Sequence, residues 1–272
     1  MKKMVIHGIT AFVCLTFFSC TGLQDLSQQT VNGRKVEYAA TMNGKPTVVF
    51  ETGLGPTILT WDTILDSIKG FASTFVYNRP GYGSSSFFNA PGTVKEVARQ
   101  LNENLVATRQ KPPYVLVGHS AGGLYMNMYA RLYPEKVAGL VFIDSSHPDQ
   151  FEYFRKNQRM MYTMLITSTG KGKRRYESSI VRSTHIDFKN APAFPTIPVT
   201  VLTAGEKSSF LESDEMRKKW IDFQSDLASL SPESRHIIAR GSGHFIHRNK
   251  PELVIQEIKR MVLKTNNNNN NN

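Results

Sequence analysis

Residues 112–135 read PPYVLVGHSAGGLYMNMYARLYPE. A short apolar run, YVLV, passes through a knot of small residues into a segment with helical spacing, so the stretch predicts a buried strand, a sharp turn and a helix. Ser120 stands at the turn between Gly118 and Gly122, in the pattern GxSxG. A serine used only to cap the helix would need no small residue two positions to either side. A serine held in strained backbone so that its hydroxyl is presented would need both, because larger side chains there would collide across the turn. The pattern alone recurs by chance, but between a predicted strand and a predicted helix it marks Ser120 as a candidate nucleophile.

Outward from this segment the chain keeps alternating strands and helices from about residue 34, which implies parallel strands joined by crossovers. KVEYAATMNGKPTVVFETG reads as a strand, a turn at Asn43 and Gly44, and a buried strand from Thr47 to Phe50. Ile58, Trp61, Leu65 and Ile68 recur at helical spacing, as do Val94, Val97, Leu101 and Leu105. STFVYNRPGYGSSS is a strand entering a glycine-rich turn, and AGLVFIDSSHP is another buried strand. The rhythm breaks at residues 148–195, where helical stretches, basic loops and prolines replace any clear strand; such an excursion inside one domain reads as a cap over the sheet. Alternation resumes with VTVLTAGE, a helix around DEMRKKWIDFQSDLASL, the strand RHIIARGSG and the helix PELVIQEIKRMVLK. The expected domain is residues 34–265, preceded by a linker at 20–33 and followed by a disordered asparagine tail at 266–272.

The first 19 residues carry two lysines and an apolar run from Met4 to Phe18, too short to span a bilayer comfortably and flanked as a secretory signal is. TFFSC, ending at Cys20, resembles a bacterial lipoprotein signal, which implies that Cys20 carries acyl chains and that the exported protein is held at a membrane, facing the periplasm or cell surface. The only other cysteine, Cys14, leaves with the leader, so the mature fold has neither a disulfide nor a cysteine nucleophile. Of the formal charge of +11, Lys2 and Lys3 contribute two, leaving about +9 spread along the chain. Nucleic acid is not the expected partner of an exported protein with dispersed charge; anionic lipid or a cell-surface polymer suits it better. The densest basic cluster, KGKRRY at 171–176, reads as a solvated loop.

A serine hydroxyl needs a base, and the base needs an acid to hold its tautomer. His244 is the best-placed base, in a small-residue loop, SGHF, between the last strand and the last helix. His247 reads as a packing residue, and a metal pair of the two has no third ligand in view. His7, His185 and His236 fall in the leader, the cap and a strand. No metal or organic cofactor is required.

Taken together, ETGLG, YNRPGYGSS, GHSAGG, LVFIDSSHPDQ and SGHF resemble the α/β-hydrolase fold superfamily in order and approximate spacing, over roughly residues 34–264. The resemblance implies an α/β fold with a mostly parallel sheet, helices on both faces and a helical cap insertion. Relatives commonly carry the acid about three residues past Gly205, where this chain has Ser208, which cannot ionise. Others carry it directly after the strand that follows the nucleophile, and Asp144 holds that place; Glu206 and, more distantly, Asp214 are the alternatives. The oxyanion donors implied are the amides of Ala121, first in the helix after the nucleophile, and Leu54, in the ETGLGP loop, where Thr52 replaces a histidine common among relatives. Arg79 would anchor backbone, and His119 would line the pocket. The function implied is a serine hydrolase acting on a carboxylic ester or related small acyl substrate. Thioesterase, amidase and aminopeptidase-like chemistries remain open, as does a non-catalytic surface binding protein on a hydrolase scaffold.

Overall fold

The strands at the middle of the sheet are buried along nearly their whole length and mostly apolar, because both faces are covered. The structure, a computed structural model, describes residues 26–44, 46–207 and 212–270. Its strands are β1 (Ser27–Val31), β2 (Arg34–Thr41), β3 (Thr47–Glu51), β4 (Ser73–Tyr77), β5 (Tyr114–His119), β6 (Val137–Ile143), β7 (Val199–Ala204) and β8 (Ser234–Ala239). They form one sheet in the order β1-β2-β4-β3-β5-β6-β7-β8. The β1–β2 and β2–β4 pairs are antiparallel and all others parallel.

The helices are α1 (Asp62–Lys69), α2 (Val94–Ala107), α3 (Ala121–Leu132), α4 (Gln150–Asn157), α5 (Arg159–Thr169), α6 (Glu177–Lys189), α7 (Asp214–Ser229), α8 (Ile246–Asn249) and α9 (Pro251–Asn270). Alternate residues of β5 serve opposite cores: Val115 and Val117 pack with Ile64, Leu65, Val254 and Ile258 of α1 and α9, whereas Tyr114 and Leu116 pack with Leu101, Leu105 and Tyr129 of α2 and α3. Each fully buried aliphatic side chain contributes roughly 1.5–3 kcal/mol. The starts of α2 and α7 are set by capping side chains. The Thr93 hydroxyl accepts from Glu96 N at 3.1 Å while the Glu96 carboxylate accepts from Gly92 N, and the Ser213 hydroxyl accepts from Met216 N at 3.2 Å. Between β6 and β7 the chain makes α4, α5 and α6, which stand where the sequence interrupts its alternation.

Two expectations change. Residues 27–31, assigned to a linker, form the edge strand β1, paired from Ser27↔Tyr38 to Val31↔Arg34. SQQTV has no apolar face to betray a strand, and the ladder with β2 supplies the order that burial does not. The asparagines from Asn266 to Asn270 continue α9 instead of forming a disordered tail. Extending a helix that is already nucleated fixes one residue per added hydrogen bond, so a poor helix former can be carried on its end. The leader, Cys20 and Ser208 lie outside the described residues.

The site is positioned by the way the sheet is wound. β3 lies between β4 and β5, with Glu51 paired to Gly118, so the loops leaving the C-terminal ends of β3 and β5 emerge side by side. In open α/β sheets such a reversal opens a crevice beyond the strand ends.

Candidate active site

Ser120 takes φ 54° and ψ −127° between β5 and α3. A non-glycine residue at positive φ costs on the order of 1–3 kcal/mol and persists only where its surroundings over-determine it. Here Ser120 N donates to Ile143 O at 3.1 Å, and Ser120 O accepts from both Gly123 N and Ser146 N at 3.0 Å. The flanking glycines are sterically required. A Cβ on Gly118 would stand 2.6 Å from Gly123 Cα, and one on Gly122 would stand 2.3 Å from Glu51 O, both backbone atoms with nowhere to go.

Asp144, one residue beyond β6, also has positive φ, 42°. Its carboxylate is fully buried and has three donors: His244 Nδ1 at 2.7 Å on Oδ2, and Ala204 N at 2.8 Å and Trp220 Nε1 at 2.9 Å on Oδ1. The His244 bond fixes that ring with its proton on Nδ1 and a lone pair on Nε2, the form a general base requires. The side chain of His244 is 26% exposed and shares a cavity with Ser120. The two alternative acids are placed elsewhere. Glu206 Oε1 accepts from Gly241 N at 3.1 Å in the turn after β8, and Asp214 is an exposed partner of Lys207 Nζ at 2.7 Å.

The loop after β3 carries Leu54, which lines the same cavity. Arg79, buried, donates to Thr52 O at 2.9 Å and to Gly53 O at 2.7 Å, so it anchors backbone as the sequence implied. Because N–H and C=O of a trans peptide point in opposite directions, drawing Gly53 O onto the guanidinium turns Leu54 N–H away from it. The loop touches Ser120: a Cβ on Gly53 would lie 3.0 Å from Ser120 Cβ. Ala121 N opens α3, where the first amides of a helix have no partner within it. The loop that carries Leu54 and the first turn of α3 thus both adjoin Ser120.

Arg79 is in turn held by carboxylates from two layers. Glu51 Oε1 lies 2.6 Å away in the sheet, and Glu177 Oε1 lies 3.0 Å away at the start of cap helix α6. Tyr82 Oη accepts from Gly55 N at 2.9 Å and donates to Glu177 Oε1 at 2.5 Å, and Tyr77 Oη donates to Glu51 Oε2. Burial raises the Tyr82 phenol above its ordinary value, and neighbouring Glu177 adds to the rise.

His119 is buried behind the site and does not line the pocket. Its Nε2 donates to His244 O at 3.0 Å, and its ring packs 4.6 Å, centroid to centroid, from those of His244 and His247. Burial, reinforced by the neighbouring imidazoles, holds His119 well below the usual histidine range. Burial likewise pushes His247 down to about 3; its Nε2 is 3.0 Å from Thr60 Oγ1. Among the described residues no group of three or more His, Cys, Asp or Glu side chains could hold a metal ion. Sequence reading missed Trp220 and Glu177. Their partners are 76 and 98 residues away, and no local pattern distinguishes a tryptophan that donates from one that only packs.

Fold and site together define an α/β-hydrolase fold, whose sequence model matches residues 46–169. The uncharacterized protein YqjL of Bacillus subtilis (strain 168) is 27% identical over 218 residues, covering 76% of this chain and 80% of YqjL. Among solved structures, lip1 of Acinetobacter baumannii AYE superposes with a TM-score of 0.70 at 18% identity, covering 90% of this chain and 92% of lip1. A thermophilic esterase from Thermogutta terrifontis superposes with a TM-score of 0.63 at 18% identity, covering 89% of this chain and 99% of the esterase.

Proposed function

We propose that this chain is a serine hydrolase that cleaves carboxylic esters through an acyl-enzyme. The observation that carries the reading is the 2.7 Å contact between His244 Nδ1 and the buried Asp144 carboxylate, with His244 and Ser120 on one cavity. Ser120 Oγ attacks the substrate carbonyl carbon as His244 Nε2 takes its proton. Asp144 keeps the ring in that tautomer and offsets the imidazolium charge. The carbonyl oxygen, now negative, is met by the amides of Leu54 and Ala121, each donor worth on the order of 10²- to 10³-fold in rate. His244 returns the proton to the departing alkoxide. A water, deprotonated by the same nitrogen, then releases the acid and restores Ser120.

The esterase among the structural neighbours supports the choice of ester over other acyl bonds. A fluorophosphonate probe tests the reading: wild type is modified at Ser120, and Ser120→Ala is not. An unmodified wild-type protein that hydrolyses no activated ester would leave only a binding protein on this scaffold. The same reading has the chain exported and anchored by acyl chains on Cys20. If acyl chains on Cys20 are the anchor, Cys20→Ser should move the protein from the membrane fraction to the soluble one.

A further inference from the structure

The cavity that holds Ser120 and His244 has a volume of about 600 Å³, within the range of small-molecule sites. At the ~30 Å³ that one water occupies in the liquid, it has room for roughly 20 non-hydrogen atoms, far more than an acetyl ester fills. One wall comes from the cap, through Phe151, Phe154, Met161 and Leu165 of α4 and α5; the facing wall comes from α7, through Met216 and Phe223. The charged side chains on it are already engaged: Lys219 Nζ lies 4.5 Å above the Phe223 ring, and Glu212 pairs with Arg217. Met160 and Met164 belong to the same wall yet are 73% and 58% exposed, so the apolar lining continues to the outer surface of α5.

Four methionines on one cavity are informative. Their unbranched, polarizable side chains re-pack around flexible apolar chains and do not fix one rigid shape. Ser146, Gln150, Tyr153, Gln158 and Ser168 also line the cavity but are outnumbered by its apolar side chains, so a sugar or peptide acyl group would leave much of its hydroxyl or amide content unpaired, which is costly.

Resting on the hydrolase reading, we infer that the cavity binds an unbranched medium- to long-chain fatty acyl group, its carbonyl at Ser120 and its alkyl chain running between α5 and α7 toward the exposed Met160 and Met164. The substrate class is therefore the fatty acyl ester. Ser120 exchanges its O–H bond for a bond to the acyl carbon, the ester C–O bond breaks, and the alcohol leaves with the proton relayed by His244. Water then supplies the oxygen and proton that release the fatty acid.

Burial of each added methylene is worth about 0.8 kcal/mol, which is close to a fourfold gain in affinity. Trp220 lines this cavity and the only other tryptophan, Trp61, is buried in the core, so intrinsic fluorescence reports occupancy. Titration of Ser120→Ala with hexanoate, octanoate and decanoate should quench or shift the Trp220 emission saturably. Kd should tighten by roughly 15-fold for each two carbons, and the signal should vanish in Ser120→Ala/Trp220→Phe. In otherwise wild-type protein, Met164→Glu, an exposed position that should not disturb folding, should lower the ratio of kcat/KM for a decanoyl ester to that for an acetyl ester by at least tenfold. No saturable signal, a Kd independent of chain length, or an unchanged ratio would overturn the inference. Fluorophosphonate labelling run alongside separates the two readings. Labelled Ser120 with no chain-length dependence sinks the acyl assignment alone, whereas chain-length-dependent binding without labelling sinks the hydrolase reading and leaves a fatty-acid-binding cavity.

Discussion

Asp144→Asn is the sharpest perturbation of the site, because the neighbours of this carboxylate decide which way an amide must face. Oδ1 accepts from Ala204 N and Trp220 Nε1, both obligate donors, while Oδ2 accepts from His244 Nδ1. An asparagine keeps the first two bonds only by putting its own oxygen there, which turns its NH₂ toward His244. The opposite orientation would set that NH₂ against two donors in a fully buried place, forfeiting two hydrogen bonds at about 1–3 kcal/mol each. The amide therefore donates to Nδ1, and the ring's proton is displaced to Nε2, where it can no longer accept from Ser120. The fold loses little, since every polar atom keeps a partner, and unfolding free energy should fall by no more than about 1 kcal/mol. The rate should fall by about 10⁴-fold, equivalent to roughly 5.4 kcal/mol of barrier. Initial rates on a p-nitrophenyl ester, fluorophosphonate labelling kinetics and urea unfolding together measure all three quantities. Glu206→Gln serves as the contrast, because among the described residues its carboxylate meets Gly241 N and not His244, and it should remain within about threefold of wild type. Asp144→Asn retaining more than a tenth of the activity, or Glu206→Gln losing as much, would refute the assignment of the acid.

Tyr82→Phe removes the acceptor of Gly55 N and a donor to Glu177, loosening the loop that carries Leu54; because that loop serves a charge present only in the transition state, kcat should fall about tenfold with KM nearly unchanged. An equal rise in KM would point instead to general damage. Gly122→Ala drives a Cβ to within 2.3 Å of Glu51 O, and should both abolish labelling of Ser120 and cost roughly 1–3 kcal/mol in urea unfolding. His119 and His247 are buried neutral, His247 with its value pushed to about 3, while the unfolded chain takes up protons near pH 6.5. Below pH 6.5 the unfolded state binds more protons, so stability should fall with decreasing pH by up to about 1.4 kcal/mol per pH unit for each ring. Urea midpoints from pH 7.5 to 4.5 test this, and His247→Gln should flatten the slope, His147 and His236, whose values burial also lowers, retaining part of it.

Much of this was legible because strand and nucleophile share one local cause. The apolar runs of β3, β5, β6 and β7 and the glycines around Ser120 are consequences of burial and close approach, and both leave marks in the sequence. Pairing left none: β2 reads as the natural partner of β3 across Asn43 and Gly44, yet it pairs with β4, because alternation specifies faces and not neighbours. Arg79 announced itself through its loop, but Glu177, the cap carboxylate that receives it, sits in an otherwise ordinary amphipathic helix. Trp220 reads as packing because what distinguishes it is a single N–H.

The position of Asp144, the acid of the proposed mechanism, follows from the same geometry that places Ser120. Ser120 and Asp144 each stand one residue beyond the paired ends of neighbouring strands, His119↔Ile143 and Ile143↔Leu202, and each has positive φ. Each turns its amide onto the next strand in the same way, Ser120 N to Ile143 O and Asp144 N to Leu202 O. The chain thus repeats one device at the tips of β5 and β6, first to present a hydroxyl and then a carboxylate. β7 lies one strand further on, and its last amide, Ala204 N, is itself a donor to Asp144. Asp144 already meets His244 from the tip of β6, which is why serine at position 208 need not silence the site. Ser208→Asp in an Asp144→Asn background tests how far the role depends on Asp144 itself: partial recovery of turnover would mean that a carboxylate supplied elsewhere suffices, and none would mean that the three donors fixing Asp144 are as necessary as its charge.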